Sequence, residues 1–170
     1  MSETITAGMV DPAMFGNRPP QPRIKKVFLA LRTNFFGDYV EDEHITLKYF
    51  NSTPFTDLIH YGRELSAHVP TQIQLDGFAN WTNQGMFYEV ALVDAFQNPR
   101  LFDFVRTPHI TIRKSDKPLS NATFEPSFYG TPDLIDTLWV GKKVRGKFLW
   151  MPVDSRPIVE LRNEWRDLNE

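Results

Sequence analysis

Hydrophobic and polar positions alternate along several short stretches of the chain, and glycine or proline interrupts the pattern between them. Alternation with a period of two is typical of strands with one buried face, and short continuous apolar runs indicate strands buried on both faces. The pattern predicts strands at 27–33, 44–50, 71–81, 86–93, 109–115, 134–144 and 146–153. Thr82–Gly85 is a predicted hairpin turn, and Arg145-Gly146 separates the last two strands.

Helical spacing of apolar residues appears in three other segments. The first helix is predicted to start at Thr53-Pro54, with Thr53 as the cap and Pro54 at the first helical position, and to end before Pro70. The others are a short helix at 95–105 and a final helix at 158–168. The order β-β-α-β-β-α-β-β-β-α predicts an α+β fold with a mainly antiparallel sheet and a few helices.

A chain of 170 residues has the length of a single domain. Residues 1–23 are predicted to be an irregular leader, because glycine and a proline-rich run break both kinds of periodicity there. The domain itself is expected to span 24–170, with a loop rich in proline and serine at 116–133.

The balance of charges limits the classes of partner. A net charge of −2 does not provide the dense cationic field that binding to long nucleic acid requires, whereas a small anionic ligand remains compatible. The sequence contains no cysteine, no signal-peptide pattern and no apolar run approaching the roughly 20 residues that a membrane span needs. We therefore expect a soluble protein of the cytoplasm with no membrane partner.

A five-residue pattern occurs twice, as HITLK at 44–48 and as HITIR at 109–113. Side chains alternate faces along a strand, so the sequence predicts that the histidine, threonine and cation of each copy share one face. The candidate catalytic residues are His44, Thr46, His109 and Thr111, with Lys48 and Arg113 as candidate substrate ligands. The other two histidines, His60 and His68, are expected on the surface.

Paired histidines with hydroxyl donors fit the cleavage of a phosphodiester. The reaction needs a base for the attacking oxygen, an acid for the leaving oxygen and donors to the non-bridging oxygens. No cluster of His, Asp or Glu has metal-ligand spacing, and we expect neither a metal nor another cofactor. The carboxylates of Glu41, Asp42 and Glu43 precede His44 in a loop that is expected to be exposed and solvated.

The two motifs, HITL at 44–47 and HITI at 109–112, resemble those of the 2H phosphoesterase superfamily. The resemblance covers most of 24–153 and implies two related lobes around a central groove, with the motifs facing each other. It also implies metal-independent cleavage of cyclic phosphates or small RNA-derived phosphodiesters by His44, Thr46, His109 and Thr111.

Only about ten residues separate the first predicted strand from His44, too few for a crossover helix. This compact form is most similar to the phage anti-CBASS branch of the superfamily, whose members degrade cyclic oligonucleotide signals of bacterial defence. The resemblance implies a cyclic oligonucleotide substrate and, for a viral protein, the host cytoplasm as the place of action. Trp81 and Trp150 are candidates for stacking on its bases.

Two alternatives stand beside this hypothesis. One is a phosphodiesterase for 2′,3′-cyclic phosphates or ADP-ribose cyclic phosphate, as in RNA processing. The other is a protein that sequesters a nucleotide without cleaving it, although a pure binder has no need of a paired acid and base. Base preference, ring size, oligomeric state and the assignment of acid and base stay open at this point.

Overall fold

The computed structural model describes residues 23–68, 72–94, 105, 107–119, 133–134 and 137–169, with only the backbone of 133–134. The predicted leader, up to Pro22, and the predicted helix at 95–105, apart from Val105, lie outside these residues. Neither helix in the described part of the chain is long and apolar enough to cross a membrane.

The described elements are eight strands, two α-helices and one turn of 3₁₀ helix. The strands are β1 (Arg23–Arg32), β2 (His44–Pro54), β3 (Gln72–Asn83), β4 (Met86–Asp94), β5 (His109–Ser115), β6 (Asp133–Leu134), β7 (Leu138–Val144) and β8 (Lys147–Pro152). The helices are α1 (Phe55–Ser66) and α2 (Ile158–Leu168), and the 3₁₀ turn is Gly37–Tyr39. All recorded strand pairs are antiparallel, which confirms the predicted α+β class.

The strands form one sheet in the order β6-β3-β4-β5-β2-β1-β7-β8. Within the described residues, its two halves are joined at one antiparallel residue pair, Ile45 of β2 with Ile110 of β5. We refer to β2-β1-β7-β8 as the first half-sheet and to β5-β4-β3-β6 as the second. Each half-sheet therefore has one copy of the repeated motif on its innermost strand.

Two tight turns connect neighbouring strands and confirm the predicted hairpins. Gln84 and Gly85 join β3 to β4, and Arg145 and Gly146 join β7 to β8. The first residue of each turn has φ 52°, and the glycine has φ 79° or 80°. Two consecutive left-handed residues are typical of two-residue hairpin loops, whose twist matches that of the flanking strands.

The start of the first helix differs from the prediction. Thr53 and Pro54 belong to β2, where they pair with Ile24 and Arg23, and the helix begins at Phe55. Strand β1 starts four residues earlier than its hydrophobic run indicated, so its first residues extend the pairing along β2. Tertiary pairing thus overrides the local signal of a proline at the first helical position.

The predicted strand at 134–144 divides into two. Asp133–Leu134 forms β6 and pairs with β3 in the second half-sheet, whereas β7 pairs with β1 in the first. An alternating pattern does not reveal which half-sheet a segment joins, so the crossing between them could not be predicted from periodicity.

The main hydrophobic core lies on one face of the sheet. On β1 the odd-numbered residues face it, and α1 and α2 contribute the opposite side; its fully buried members include Val27, Leu29, Leu31, Leu58, Ile59 and Leu161. Ile45 and Ile110 are also fully buried in this core. The residues that alternate with them therefore face the other side of the sheet.

Glu43 fixes the loop that joins β1 to β2. Its carboxylate accepts hydrogen bonds from the backbone N–H groups of Phe35 and Phe36, at 2.7 and 2.8 Å, and only 5% of the residue is exposed. The expectation of an exposed, solvated run of carboxylates is therefore wrong for Glu43, although Glu41 is exposed. Glu43, the residue before His44, thus satisfies two backbone N–H groups of the loop with its buried carboxylate.

We predict that Glu43→Gln lowers the free energy of unfolding by about 2–3 kcal/mol, because an amide NH₂ replaces one acceptor oxygen opposite a buried N–H. Urea unfolding monitored by tryptophan fluorescence measures the change. Glu41→Gln removes the same charge from an exposed neighbour and is expected to stay within about 0.5 kcal/mol of wild type. Equal effects of the two substitutions would contradict the stabilisation of the loop by the Glu43 carboxylate.

Candidate functional site

The crossing of β2 and β5 brings the two motifs together. Ile45 pairs with Ile110 in antiparallel register, and both side chains enter the core. His44 and Thr46 flank Ile45, and His109 and Thr111 flank Ile110, so all four residues alternate with the buried pair along their strands. The four candidate catalytic side chains thus extend from adjacent positions on the face opposite the core, which we refer to as the groove face.

Both imidazoles are held by the backbone in the same way. His44 Nδ1 lies 2.7 Å from the carbonyl oxygen of Asp42, and His109 Nδ1 lies 2.8 Å from that of Thr107. A carbonyl oxygen only accepts, so each Nδ1 carries the proton and donates it. In the neutral form, each histidine therefore keeps a lone pair on Nε2 for proton transfer.

Aromatic rings enclose His44. Its ring stacks on Phe28 at 5.2 Å between centroids, and the rings of Phe148 and Trp150 approach it edge to face at 5.1 and 5.2 Å. Phe148 and Trp150 stack on each other at 5.6 Å. Trp150, a candidate for base stacking, lies against His44 and forms part of the surroundings of the imidazole.

Burial is the main influence on the ionisation of His44. It lowers the pKa of His44 below its ordinary value of 6.5, and electrostatic interactions with His109 and Arg32 lower it further. The hydrogen bond to the Asp42 carbonyl and the Asp42 carboxylate oppose this shift. At neutral pH His44 is therefore uncharged. The contribution from His109 also shows that the two imidazoles are close enough to interact electrostatically.

Asp42 connects the loop between β1 and β2 to the aromatic cluster around His44, which consists of Phe28, Phe148 and Trp150. Its carboxylate accepts a hydrogen bond from Trp150 Nε1 at 3.0 Å and lies 3.6 Å from the Arg32 guanidinium. That guanidinium in turn lies over the rings of Trp139 and Trp150, at 5.1 and 4.8 Å. Asp42 has φ 54°, a conformation that aspartate tolerates better than most residues. It is therefore a positioning residue, which the expectation of simple solvation missed.

His109 lies in an open groove of about 530 Å³. The groove is lined by Trp81, Thr82, Asn83, Tyr88, Thr107, His109 and Thr111. Trp81 meets the imidazole of His109 edge to face, with 4.8 Å between ring centroids. Of the two tryptophans singled out in the sequence, Trp81 is therefore the one that lines this open groove.

The two predicted cationic ligands do not share the groove face with their histidines. In each motif one extra residue interrupts the pairing after the threonine: Leu47 opposite β1, and Ile112 opposite β4. Each bulge reverses the alternation, so Lys48 pairs with the buried Leu29 and Arg113 with the buried Glu89. The predicted common face is thus wrong for both cations.

Arg113 has a structural partner instead. Its Nε donates to Glu89 Oε1 at 2.6 Å, and the carboxylate side chain is only 2% exposed. Lys48 lies over the ring of Phe50, at 5.9 Å, on the core side of β2. A strand pattern shows no bulge in advance, because the extra residue is defined only by the pairing partner.

Within the described ranges, no three His, Cys, Asp or Glu side chains come together as a group that could hold a metal ion. The two surface histidines of the sequence analysis lie on or just after α1, where His60 is exposed and His68 is partly exposed.

Comparisons with known proteins add a distant structural likeness. No protein-family model matches the sequence, and a search of curated proteins finds no match. Crystal structures of E. coli LigT with phosphate and with 3′-AMP match at 16% and 17% identity and TM-scores of 0.47 and 0.45. Each match covers 76% of this chain and 95% of LigT. Likeness at this level assigns neither a family nor an activity to this chain.

Gly141 makes room for the aromatic cluster, and this generates a prediction. A Cβ at Gly141 would lie 2.6 Å from ring atoms of both Phe28 and Trp150. We expect Gly141→Ala to lower the free energy of unfolding by about 1–3 kcal/mol and to displace the His44 ring, because the rings have to move. Urea unfolding and the NMR chemical shifts of the His44 ring measure the two effects.

Gly62→Ala is the matched control, since its added methyl meets Val153 and Leu29 on the helix side at 3.2–3.3 Å. It is expected to leave the His44 shifts unchanged. A Gly141→Ala protein with wild-type stability and wild-type His44 shifts would contradict the packing described for the cluster.

Proposed function

We propose that this chain is a metal-independent phosphodiesterase that uses His44 and His109 as a base and an acid. The observation that carries the proposal is the matched anchoring of both imidazoles on crossing strands. Each Nδ1–H is tied to the backbone, which leaves each Nε2 for chemistry on the face that Thr46 and Thr111 share. A phosphodiester between them would meet every group that its cleavage requires.

The lowered pKa of His44 favours it as the base. We propose that His44 Nε2 takes the proton of the ribose 2′-hydroxyl, whose oxygen attacks the adjacent phosphorus. The P–O2′ bond forms as the P–O5′ bond breaks, and His109 protonates the departing 5′-oxygen. Thr46 and Thr111 donate hydrogen bonds to the non-bridging oxygens. The products are a 2′,3′-cyclic phosphate and a free 5′-hydroxyl.

The proposed substrate is a cyclic oligonucleotide with 3′–5′ linkages, and the proposed biological role is to counter a cyclic-nucleotide defence signal. Its 2′-hydroxyl lies next to the phosphorus within the same molecule, which gives the attack a high effective concentration. Trp81 and Tyr88 line the open groove beside His109 and offer aromatic faces for a base. The proposed ligand is small, in keeping with a net charge of −2.

A test of the function compares wild type with His44→Gln and His109→Gln on a cyclic ribodinucleotide, with products separated by chromatography. We expect each substitution to reduce kcat by about 10²–10⁴-fold, and the double variant to lose little more, because the two groups act as a unit. His60→Gln, on exposed α1 surface, is the matched control and should retain the wild-type rate.

The substrate arm of this experiment uses the 2′-deoxy analogue of the same ring. We expect no cleavage of it, because the nucleophile is missing. Equal cleavage of both rings would replace 2′-hydroxyl attack by direct attack of water. Turnover of a simple 2′,3′-cyclic nucleotide but not of the ring would indicate the RNA-processing chemistry, and tight binding without any turnover a sequestering protein.

The pH dependence of kcat/KM should follow the ionisation of His44. Its lowered pKa places the acidic limb of kcat/KM below pH 6.5, and the rate falls as pH drops through that pKa. Arg32→Met removes a charge that lowers the pKa, so the limb should move to higher pH. Asp42→Asn removes a carboxylate that raises it, so the limb should move to lower pH. The pH–rate profile measures both.

Lys147→Met makes the same charge change at the exposed start of β8 and serves as the control. The free energy of unfolding should also decrease as pH falls, for the same reason. The unfolded chain takes up the His44 proton at a higher pH than the folded chain, so this contribution to stability is lost as pH falls below 6.5. Shifts of the limb in the same direction in both variants would contradict His44 as the base.

A further inference from the structure

Two lysines on opposite half-sheets face the groove. The bulge at Ile112 reverses the alternation of β5, so Lys114 pairs with Tyr88, which lines the groove with His109. On the other half-sheet, Lys143 pairs with Phe148, a member of the aromatic cluster around His44. The cation that the sequence pattern predicted at 113 is thus replaced on this face by its neighbour.

Lys143 lies near His44 on the groove face. Its Nζ is 5.4 Å from the centroid of the Phe148 ring, and that centroid is 5.1 Å from the centroid of His44. The ammonium group therefore lies no farther from the His44 ring than these two distances together. Lys114 follows His109 and Thr111 along β5, so each lysine belongs to the half-sheet of a different histidine.

The two ammonium groups approach each other across the groove. Repulsion from Lys114 is the largest cause that lowers the pKa of Lys143, so the two ammonium groups are close enough to interact electrostatically. Among the ion pairs of the described residues, neither lysine has a carboxylate partner. Two like charges held together without a counter-charge repel each other, and an anion between them would remove that cost.

We propose that Lys114 and Lys143 form an anion site that bridges the half-sheets and holds a second phosphate of the substrate. This inference rests on the proposed function and narrows it. A ligand that places one phosphodiester between the histidines and another phosphate between the lysines has at least two phosphates. A cyclic dinucleotide or larger ring has that composition, whereas a mononucleoside 2′,3′-cyclic phosphate does not.

An anion bound by both lysines would also connect the two half-sheets. Each ammonium donates to the same anion from a different half-sheet, and within the described residues strand pairing joins the half-sheets at the Ile45–Ile110 pair. The bound phosphate would therefore hold the two halves of the groove at a fixed separation. The histidines depend on that separation, because they approach the phosphorus from opposite halves.

The test uses the double variant Lys114→Ala/Lys143→Ala. Its control is Lys117→Ala/Lys147→Ala, which removes the same two charges from exposed positions, one beyond the end of β5 and one at the start of β8. KM and kcat are measured for a cyclic ribodinucleotide and for 2′,3′-cyclic AMP. We expect the KM for the ring to rise about tenfold or more in the first variant only, a size typical of lost charge-assisted hydrogen bonds.

The KM for 2′,3′-cyclic AMP, if the enzyme turns it over, should change less than about twofold in both variants, because that ligand has a single phosphate. The salt dependence of the KM for the ring should also become shallower in the first variant, since fewer phosphate charges are neutralised. A ring KM that rises equally in the two double variants would overturn the site and indicate a general effect of charge.

A binding experiment separates this proposal from the function on which it rests. The dissociation constant of the cyclic ribodinucleotide is measured by tryptophan fluorescence in a His44→Gln/His109→Gln background, with and without the lysine substitutions. Weaker binding without the lysines, in a protein whose wild type cleaves nothing, would support the anion site and overturn the phosphodiesterase. Normal cleavage with binding unaffected by the lysines would overturn the site and leave the phosphodiesterase intact.

Discussion

The pairing of Ile45 with Ile110 is the constraint on which the rest of the site depends. Both side chains are fully buried, so the residues on either side of each isoleucine must face away from the core. That requirement alone brings two histidines and two threonines onto one face. A slip of one residue in either strand would bury a histidine and expose an isoleucine, which makes this register costly to change.

The two halves of the site share their backbone geometry and differ in their surroundings. Each histidine donates to the carbonyl two residues before it, and each motif strand carries a bulge directly after its threonine. Around His44 the first half-sheet adds Phe28, Phe148 and Trp150, whereas the second leaves His109 beside Trp81 in an open groove. Repetition thus provides two similar groups, and packing makes them chemically unequal.

Much of the fold could be predicted from the sequence. Periodicity located most of the described strands, and the Gly85 and Gly146 turns marked two hairpins, because these signals are local. The helix start at Thr53-Pro54 failed, since β1 pairs with those residues and extends β2. The separation of β6 from β7 failed as well, because each segment pairs with a strand distant in sequence.

The same distinction between local signals and contacts distant in sequence applies to the site. Alternation brought His44, Thr46, His109 and Thr111 to one face, as the doubled pattern indicated. It misplaced Lys48 and Arg113, because a bulge is a property of a pair of strands and not of one. It also missed Asp42, whose contribution comes from a backbone carbonyl and from a tryptophan distant in sequence. No side-chain pattern encodes either contact.

The unequal surroundings of the two histidines have a consequence for how the proposed substrate would lie in the groove. In the proposed reaction the base accepts a proton from the 2′ side of the phosphorus, and the acid gives one to the 5′ side. The rings of Phe28, Phe148 and Trp150 enclose His44 at one end of the groove, whereas His109 lies at the open end. In the proposed reaction, the 2′ side of the cleaved phosphodiester would therefore lie at the enclosed end of the groove and the 5′ side at the open end.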